Sequence, residues 1–134
     1  MKVLIACEFS GIVREAFAKL GHDAWSCDLL PTETLGKHIQ GNVMNVLRHG
    51  GGEWDMVIAF PPCTDLTSAG AVYWAKKQAD GRQAEAVRFF EFFTYLKTKR
   101  VCIENPVGIM SRIYRKEIER EFDYENMEAR NTQD

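Results

Sequence analysis

The chain has 134 residues, 17 Lys+Arg against 19 Asp+Glu and a formal net charge of −2, with 46% hydrophobic and 27% charged residues. This composition is ordinary for a soluble globular domain, and the length suits one domain with a real core, excluding a catalytic domain joined to an independent recognition domain. No apolar run approaches the roughly 20 residues that span a bilayer, and Glu8 cuts the N-terminal apolar stretch too short for a signal peptide, so a cytoplasmic protein is expected.

Lys2–Cys7 is a short apolar run rich in Val and Ile and reads as a buried strand. Phe9-Ser10-Gly11 is a turn, with Ser10 as N-cap of a helix from about 12 to 20; Ile12, Ala16, Phe17 and Leu20 mark its apolar face and Gly21 stops it. His22–Cys27 reads as a second strand ending on Asp28. A turn-rich segment with Pro31, Gly36 and Gly41 follows, and His38–Gln40 suits a short edge strand. Val43–His49 predicts a brief helix closed by Gly50-Gly51-Gly52. Asp55–Phe60 is the next strand, ended by Pro61 and Pro62, which cannot donate to a sheet ladder. After a loop to about Ala71, helical pattern runs from 72 to 97, broken near Asp80-Gly81, with Ala84, Val87, Phe90, Phe93 and Leu96 as its core stripe. Arg100–Glu104 is a fifth strand, broken by Asn105-Pro106. A basic helix around 112–121 precedes an acidic polar tail at 121–134, whose composition favours mobility.

Strands alternating with helices predict an α/β domain over residues 1–120, with a mostly parallel sheet of about five strands and helices on both faces. Crossovers of this kind are right-handed, and ligands bind at the carboxyl ends of the strands near the point where strand order reverses.

Charge and cysteine usage narrow the chemistry. Residues 76–120 hold 11 basic and 6 acidic groups, the last fourteen 1 basic and 5 acidic. The basic stretch suits either solvated helix faces or a polyanion such as nucleic acid. Cys7, Cys27, Cys63 and Cys102 include no Cys-x-x-Cys pair and no clustered histidine, which argues against zinc and against a disulfide framework. Cys7, Cys27 and Cys102 lie in apolar strands and read as small core residues. Cys63 stands apart in a proline-bounded loop, where a following helix N-terminus would favour its thiolate.

The unusual residues fall just after strands. Gly11, between strand and helix, suits close approach of a ligand to the backbone. Asp28 lies 17 residues further on, near the spacing at which an acid meets ribose hydroxyls. Glu104 ends an apolar strand, where burial would raise its pKa. A nucleophile and an acid at the ends of neighbouring strands are what covalent catalysis with proton donation needs.

At these residues the sequence resembles the cytosine-5 DNA methyltransferases. Pro62-Cys63-Thr64-Asp65-Leu66-Thr67-Ser68-Ala69-Gly70 is similar to the family's nucleophile loop, Pro-Cys-Gln-x-Phe-Ser-x-x-Gly. Glu104-Asn105-Pro106 resembles its Glu-Asn-Val, and Phe9-Ser10-Gly11 the start of its S-adenosylmethionine loop. The resemblance covers about residues 3–110. It implies a Rossmann-like, S-adenosylmethionine-dependent methyltransferase fold and an enzyme that methylates cytosine at C5 in DNA. Cys63 would add to C6 and Glu104 would protonate N3. Phe9, Ser10, Gly11, Asp28, Asn42 and Pro61 would bind the cofactor; Pro62, Thr67, Asn105, Arg112 and Arg115 would face the substrate. No metal is implied. A base inside a duplex would have to be flipped out.

The chain departs from that pattern in three ways. Ile12-Val13-Arg14 follows Gly11 where the family has further glycines. Thr64 and Leu66 replace Gln and Phe. The family's arginine motif, target-recognition region and last sheet strands have no room after Glu104, with Arg112 and Arg115 a poor substitute for the first. The fifth strand is then an edge, for which a second copy or a partner chain is the expected cover. Two further readings stand beside this one: a catalytically inactive module of the same fold binding nucleic acid, cofactor or a protein partner, and an adenine amino-methyltransferase whose loop Phe60-Pro61-Pro62-Cys63 imitates. RNA or a free nucleotide would serve the same chemistry as DNA.

Overall fold

A computed structural model describes residues 1–66, 76, 79–105, 108 and 110. The chain divides into two compact units, Met1–Pro62 with Ala84–Glu104, and Cys63–Gln83 with Asn105–Asp134.

The first unit is an α/β layer structure. The elements of the chain in order are β1 (Lys2–Ala6), α1 (Ile12–Lys19), β2 (Asp23–Asp28), β3 (His38–Gln40), α2 (Val43–Val46), β4 (Met56–Ala59), α3 (Arg82–Thr94, in this unit from Ala84) and β5 (Val101–Ile103). The five strands form one sheet in the order β3-β2-β1-β4-β5, and every pairing is parallel. Strand order therefore reverses on either side of β1, which makes the gap between the carboxyl ends of β1 and β4 the switch point. The expected parallel α/β sheet of five strands is what the chain forms, with β3 and β5 as edges among the described residues.

Alternation along the strands sorts the core. Leu4 pairs with Trp25 and Val57, and Ala6 with Cys27 and Ala59. These side chains share one face, where they pack with Val43 and Leu47 from α2 and its end and Phe93 from α3. Val3 and Ile5 point the other way, toward the face where α1 lies against β1 and β2. All four β1 positions Val3–Ala6 are fully buried, as a central strand covered on both faces requires.

The α1 face differs from expectation. Ile12, Ala16 and Leu20 are exposed, and the residue that α1 buries completely is Arg14. The N-cap is Gly11 and not Ser10. In α3, Phe90 and Phe93 are buried as the stripe predicts, while Ala84 is exposed. The break before it is built by Asp80, which accepts the Arg82 amide at 3.2 Å and its guanidinium at 2.8 Å, and by Gly81 at φ 79°. Cys102 faces solvent instead of the core. The expected basic helix and acidic tail at 112–134 lie outside the described residues. Among the described residues no helix is long and apolar enough to cross a membrane.

Candidate ligand site at the strand carboxyl ends

β1 ends because Cys7 turns into the left-handed region, φ 61°. A side chain there costs of order 1–3 kcal/mol. The turn brings two successive amides, Cys7 and Glu8, onto the Cys27 carbonyl at 2.8 and 3.2 Å. Glu8 is thereby folded under the start of α1 and is only 7% exposed. Its carboxylate accepts the Val13 amide at 2.8 Å, the Arg14 amide at 3.4 Å and the Ser10 hydroxyl at 3.0 Å. Ser10 Oγ accepts the Ile12 amide at 3.2 Å. The free amides at the start of α1 are thus met by the chain's own side chains, and a carboxylate sits at the positive end of the helix dipole.

Gly11 adopts φ 78°, and the space beside it is filled by protein. A Cβ there would lie 2.6 Å from Arg14 Nη2 and 2.9 Å from Thr34 Cβ. The glycine makes room for the buried guanidinium rather than for an approaching ligand. Arg14 donates to Glu15 (3.1 Å), Ser26 Oγ (2.9 Å), Thr32 Oγ1 (3.2 Å) and the Thr34 and Leu35 carbonyls (2.6 and 3.2 Å). This distributes the donors of one charge over the loop between β2 and β3, as a fully buried cation requires.

Two cavities open at the carboxyl ends of the strands. One, of about 240 Å³, is lined by Cys7, Cys27, Asp28, Leu29, Gly41, Asn42, Val43, Met44, Pro62 and Phe89. The other, of about 300 Å³, is lined by Cys7, Glu8, Ser10, Ile12, Val13 and Phe60. Cys7 belongs to both. Burial, the Asp28 carboxylate and the neighbouring Cys27 push its thiol up to about 12, and burial followed by Asp28 pushes Cys27 up to about 11. Both are protonated, neutral walls at neutral pH.

Of the residues expected to bind cofactor, Asp28 and Asn42 share the first cavity and Ser10 lines the second. Asp28 Oδ1 accepts the Leu30 amide at 2.9 Å. Asn42 Oδ1 caps α2 through the Met44 amide at 2.9 Å. Phe9 is 37% exposed and Pro61 is buried; neither is among the residues lining these cavities. Pro62, expected on the substrate side, lines the Asp28 cavity. Sequence reasoning missed Cys7, Glu8, Leu29, Met44 and Phe89. The one available signal was the position of Cys7-Glu8 directly after the first strand.

β4 and β5 pair as Ala59 with Ile103, and the ladder runs one step further through the Glu104 amide to the Ala59 carbonyl at 2.9 Å. Phe60, Pro61 and Glu104 therefore leave the sheet at the same end. Glu104 is exposed rather than buried, contrary to the expected burial. In the second unit, Cys63 is half-buried and opens a turn in which its carbonyl accepts the Leu66 amide at 2.9 Å, and Asn105 is exposed. Thr67, Arg112 and Arg115 lie outside the described residues. Among the described residues no three His, Cys, Asp or Glu side chains are grouped to hold a metal ion. Comparison of the chain with protein-family models, curated proteins and solved structures gave no match.

Proposed function

We propose that the chain binds S-adenosylmethionine at the carboxyl ends of β1 and β2 and methylates cytosine at C5 in DNA through Cys63 and Glu104. The observation that carries the ligand class is the Glu8 carboxylate seated on the first amides of α1. In dinucleotide-binding folds that helix end receives a pyrophosphate. Here it is filled by an anion of the protein, which repels a phosphate and favours a ligand whose tail is cationic. The residues around the neighbouring cavity suit a nucleoside. Asp28 retains Oδ2 as an acceptor for ribose hydroxyls, and Leu29, Met44 and Phe89 offer apolar surface to a base.

The catalytic assignment rests on the resemblance of the Pro62-Cys63 and Glu104-Asn105 segments to the family's nucleophile loop and Glu-Asn motif. When bound, the cofactor supplies an activated methyl group. Cys63 adds as thiolate to C6 of the ring. Glu104, in its acid form, donates a proton to N3, so the electron pair released by the addition is held at C5 and takes the methyl group. Solvent water then takes the C5 proton, the electrons of that bond re-form C5=C6 and expel the Cys63 thiolate, and N3 returns its proton to Glu104. An exposed carboxyl is free to meet a base flipped out of the duplex.

Incubation with S-adenosylmethionine and DNA containing 5-fluorocytosine tests this directly, because fluorine at C5 cannot leave as a proton does. A denaturation-resistant protein–DNA adduct is expected, absent in Cys63→Ala and slowed about 10²- to 10⁴-fold in Glu104→Gln. Cofactor binding without any adduct would instead establish the inactive module. Absence of cofactor binding would overturn the proposal.

A further inference from the structure

The wall of the cavity that carries Asp28 is held from behind by a run of side-chain hydrogen bonds. Arg14 Nη1 donates to Ser26 Oγ at 2.9 Å, Ser26 Oγ lies 2.8 Å from His38 Nδ1, and His38 Nε2 lies 3.0 Å from the Leu30 carbonyl oxygen. A carbonyl oxygen only accepts, so Nε2 carries a proton. In the neutral ring Nδ1 is then an acceptor, and Ser26, already accepting from Arg14, gives its own proton to Nδ1. The direction of each bond is fixed, from Arg14 to Ser26 to His38 to Leu30. Leu30 passes the constraint on, its amide donating to Asp28 Oδ1 at 2.9 Å. Gln40 Nε2 steadies the next carbonyl back, that of Leu29, at 3.2 Å. Register supports the arrangement, since Ser26 and His38 are direct partners across β2 and β3.

We propose that Arg14, Ser26 and His38 are positioning residues that hold the Asp28 carboxylate toward the vicinal hydroxyls of a bound nucleoside, and that protonation of His38 releases it. This rests on the nucleoside reading of the cavity given above. A proton on Nδ1 sets a second N–H against Ser26 Oγ and removes the acceptor of the Ser26 hydroxyl proton. It also adds a positive charge one residue from a guanidinium that is fully buried. The charged groups around the ring are Arg14 from α1, whose Nε is engaged by Glu15, Asp28 at the end of β2, and Lys37 next in the chain, whose ammonium is held by Asp23 at 2.6 Å. The neutral ring completes the network; the charged ring keeps its bond to the Leu30 carbonyl but can no longer accept from Ser26, so the run is cut between Ser26 and His38. Affinity is therefore full at the alkaline end and is lost as pH falls through the range in which imidazole charges.

The test uses the full chain from about pH 8 to about pH 5.5, the span in which histidine switches. In the ligand-free protein, nitrogen–proton correlation spectra follow the His38 ring and the Leu30 amide; both are expected to titrate with one midpoint, and the Leu30 response is expected to vanish in His38→Gln. Calorimetric titration with S-adenosylmethionine is expected to show affinity falling about tenfold in the wild type, the equivalent of one hydrogen bond. The profile is expected to be flat in His38→Gln. Ser26→Ala, which keeps the ring but cuts it from Arg14, is expected to flatten it likewise. A Leu30 amide indifferent to the His38 ring, or equal slopes in wild type and both variants, would overturn the inference. No binding at any pH would remove the proposed function, while the ligand-free spectra would still decide the relay.

Discussion

Two of the four cysteines, Cys7 and Cys27, sit where ionisation is costly, while Cys63 is half-buried and Cys102 exposed. Cys7, pushed up to about 12, and Cys27, pushed up to about 11, carry almost no thiolate at pH 8, and the thiolate is the nucleophile. Brief treatment with iodoacetamide at that pH is expected to label Cys63 and Cys102 and to spare Cys7 and Cys27, as peptide mass spectrometry will show; early labelling of Cys7 would contradict the burial. The same shifts set a stability trend. Unfolded thiols titrate from their ordinary value of about 9.0, so above that pH the folded chain binds more protons than the unfolded one and stability falls as pH rises. Urea midpoints are expected to hold steady to about pH 8.5 and then to decline toward pH 11, less steeply in Cys27→Ala than in the wild type.

At the scale of elements, α1 shows how tertiary demand overrides local pattern. Ile12, Ala16, Phe17 and Leu20 recur at helical spacing and predict an apolar buried face, yet the buried position is Arg14. Four guanidinium donors found hydroxyls and carbonyls gathered from Ser26, Thr32, Thr34 and Leu35, and the fifth the Glu15 carboxylate, a set no periodicity reveals. Capping failed for a similar reason: Ser10 has the right chemistry, but the carboxylate of Glu8 reaches the amides that matter. Two glycines flanking this helix separate backbone strain from crowding. Gly21 has φ 87° with open space around it, whereas Gly11 has φ 78° with Arg14 and Thr34 inside 3 Å of any added Cβ. Gly21→Ala is expected to cost about 1 kcal/mol, and Gly11→Ala the same strain plus overpacking of about 1–3 kcal/mol. Equal losses on urea denaturation would show that Arg14 yields freely.

For the molecule as a whole, strand alternation and proline punctuation made the sheet legible. All five strands form within a residue or two of their expected bounds; β1, β4 and β5 are short Val- and Ile-containing runs, while β2 and β3 are marked by the turn residues that flank them. Their order, β3-β2-β1-β4-β5, puts Asp28 and Asn42 at one cavity. What could not be read locally was the far wall of the site, Phe89, which reaches it from a helix remote in sequence. The buried guanidinium has a further consequence, for the time course of folding. Its ties to Ser26 and Leu35 span 12 and 21 residues, whereas the bond from Lys2 to Asp55, beside the β1–β4 pairing, spans 53. Closing the shorter loops costs less chain entropy. The β1–α1–β2–β3 segment, with Arg14 as its clasp, is thus the cheapest part of the sheet to assemble, and it offers β1 as a ready template on which β4 and then β5 can add.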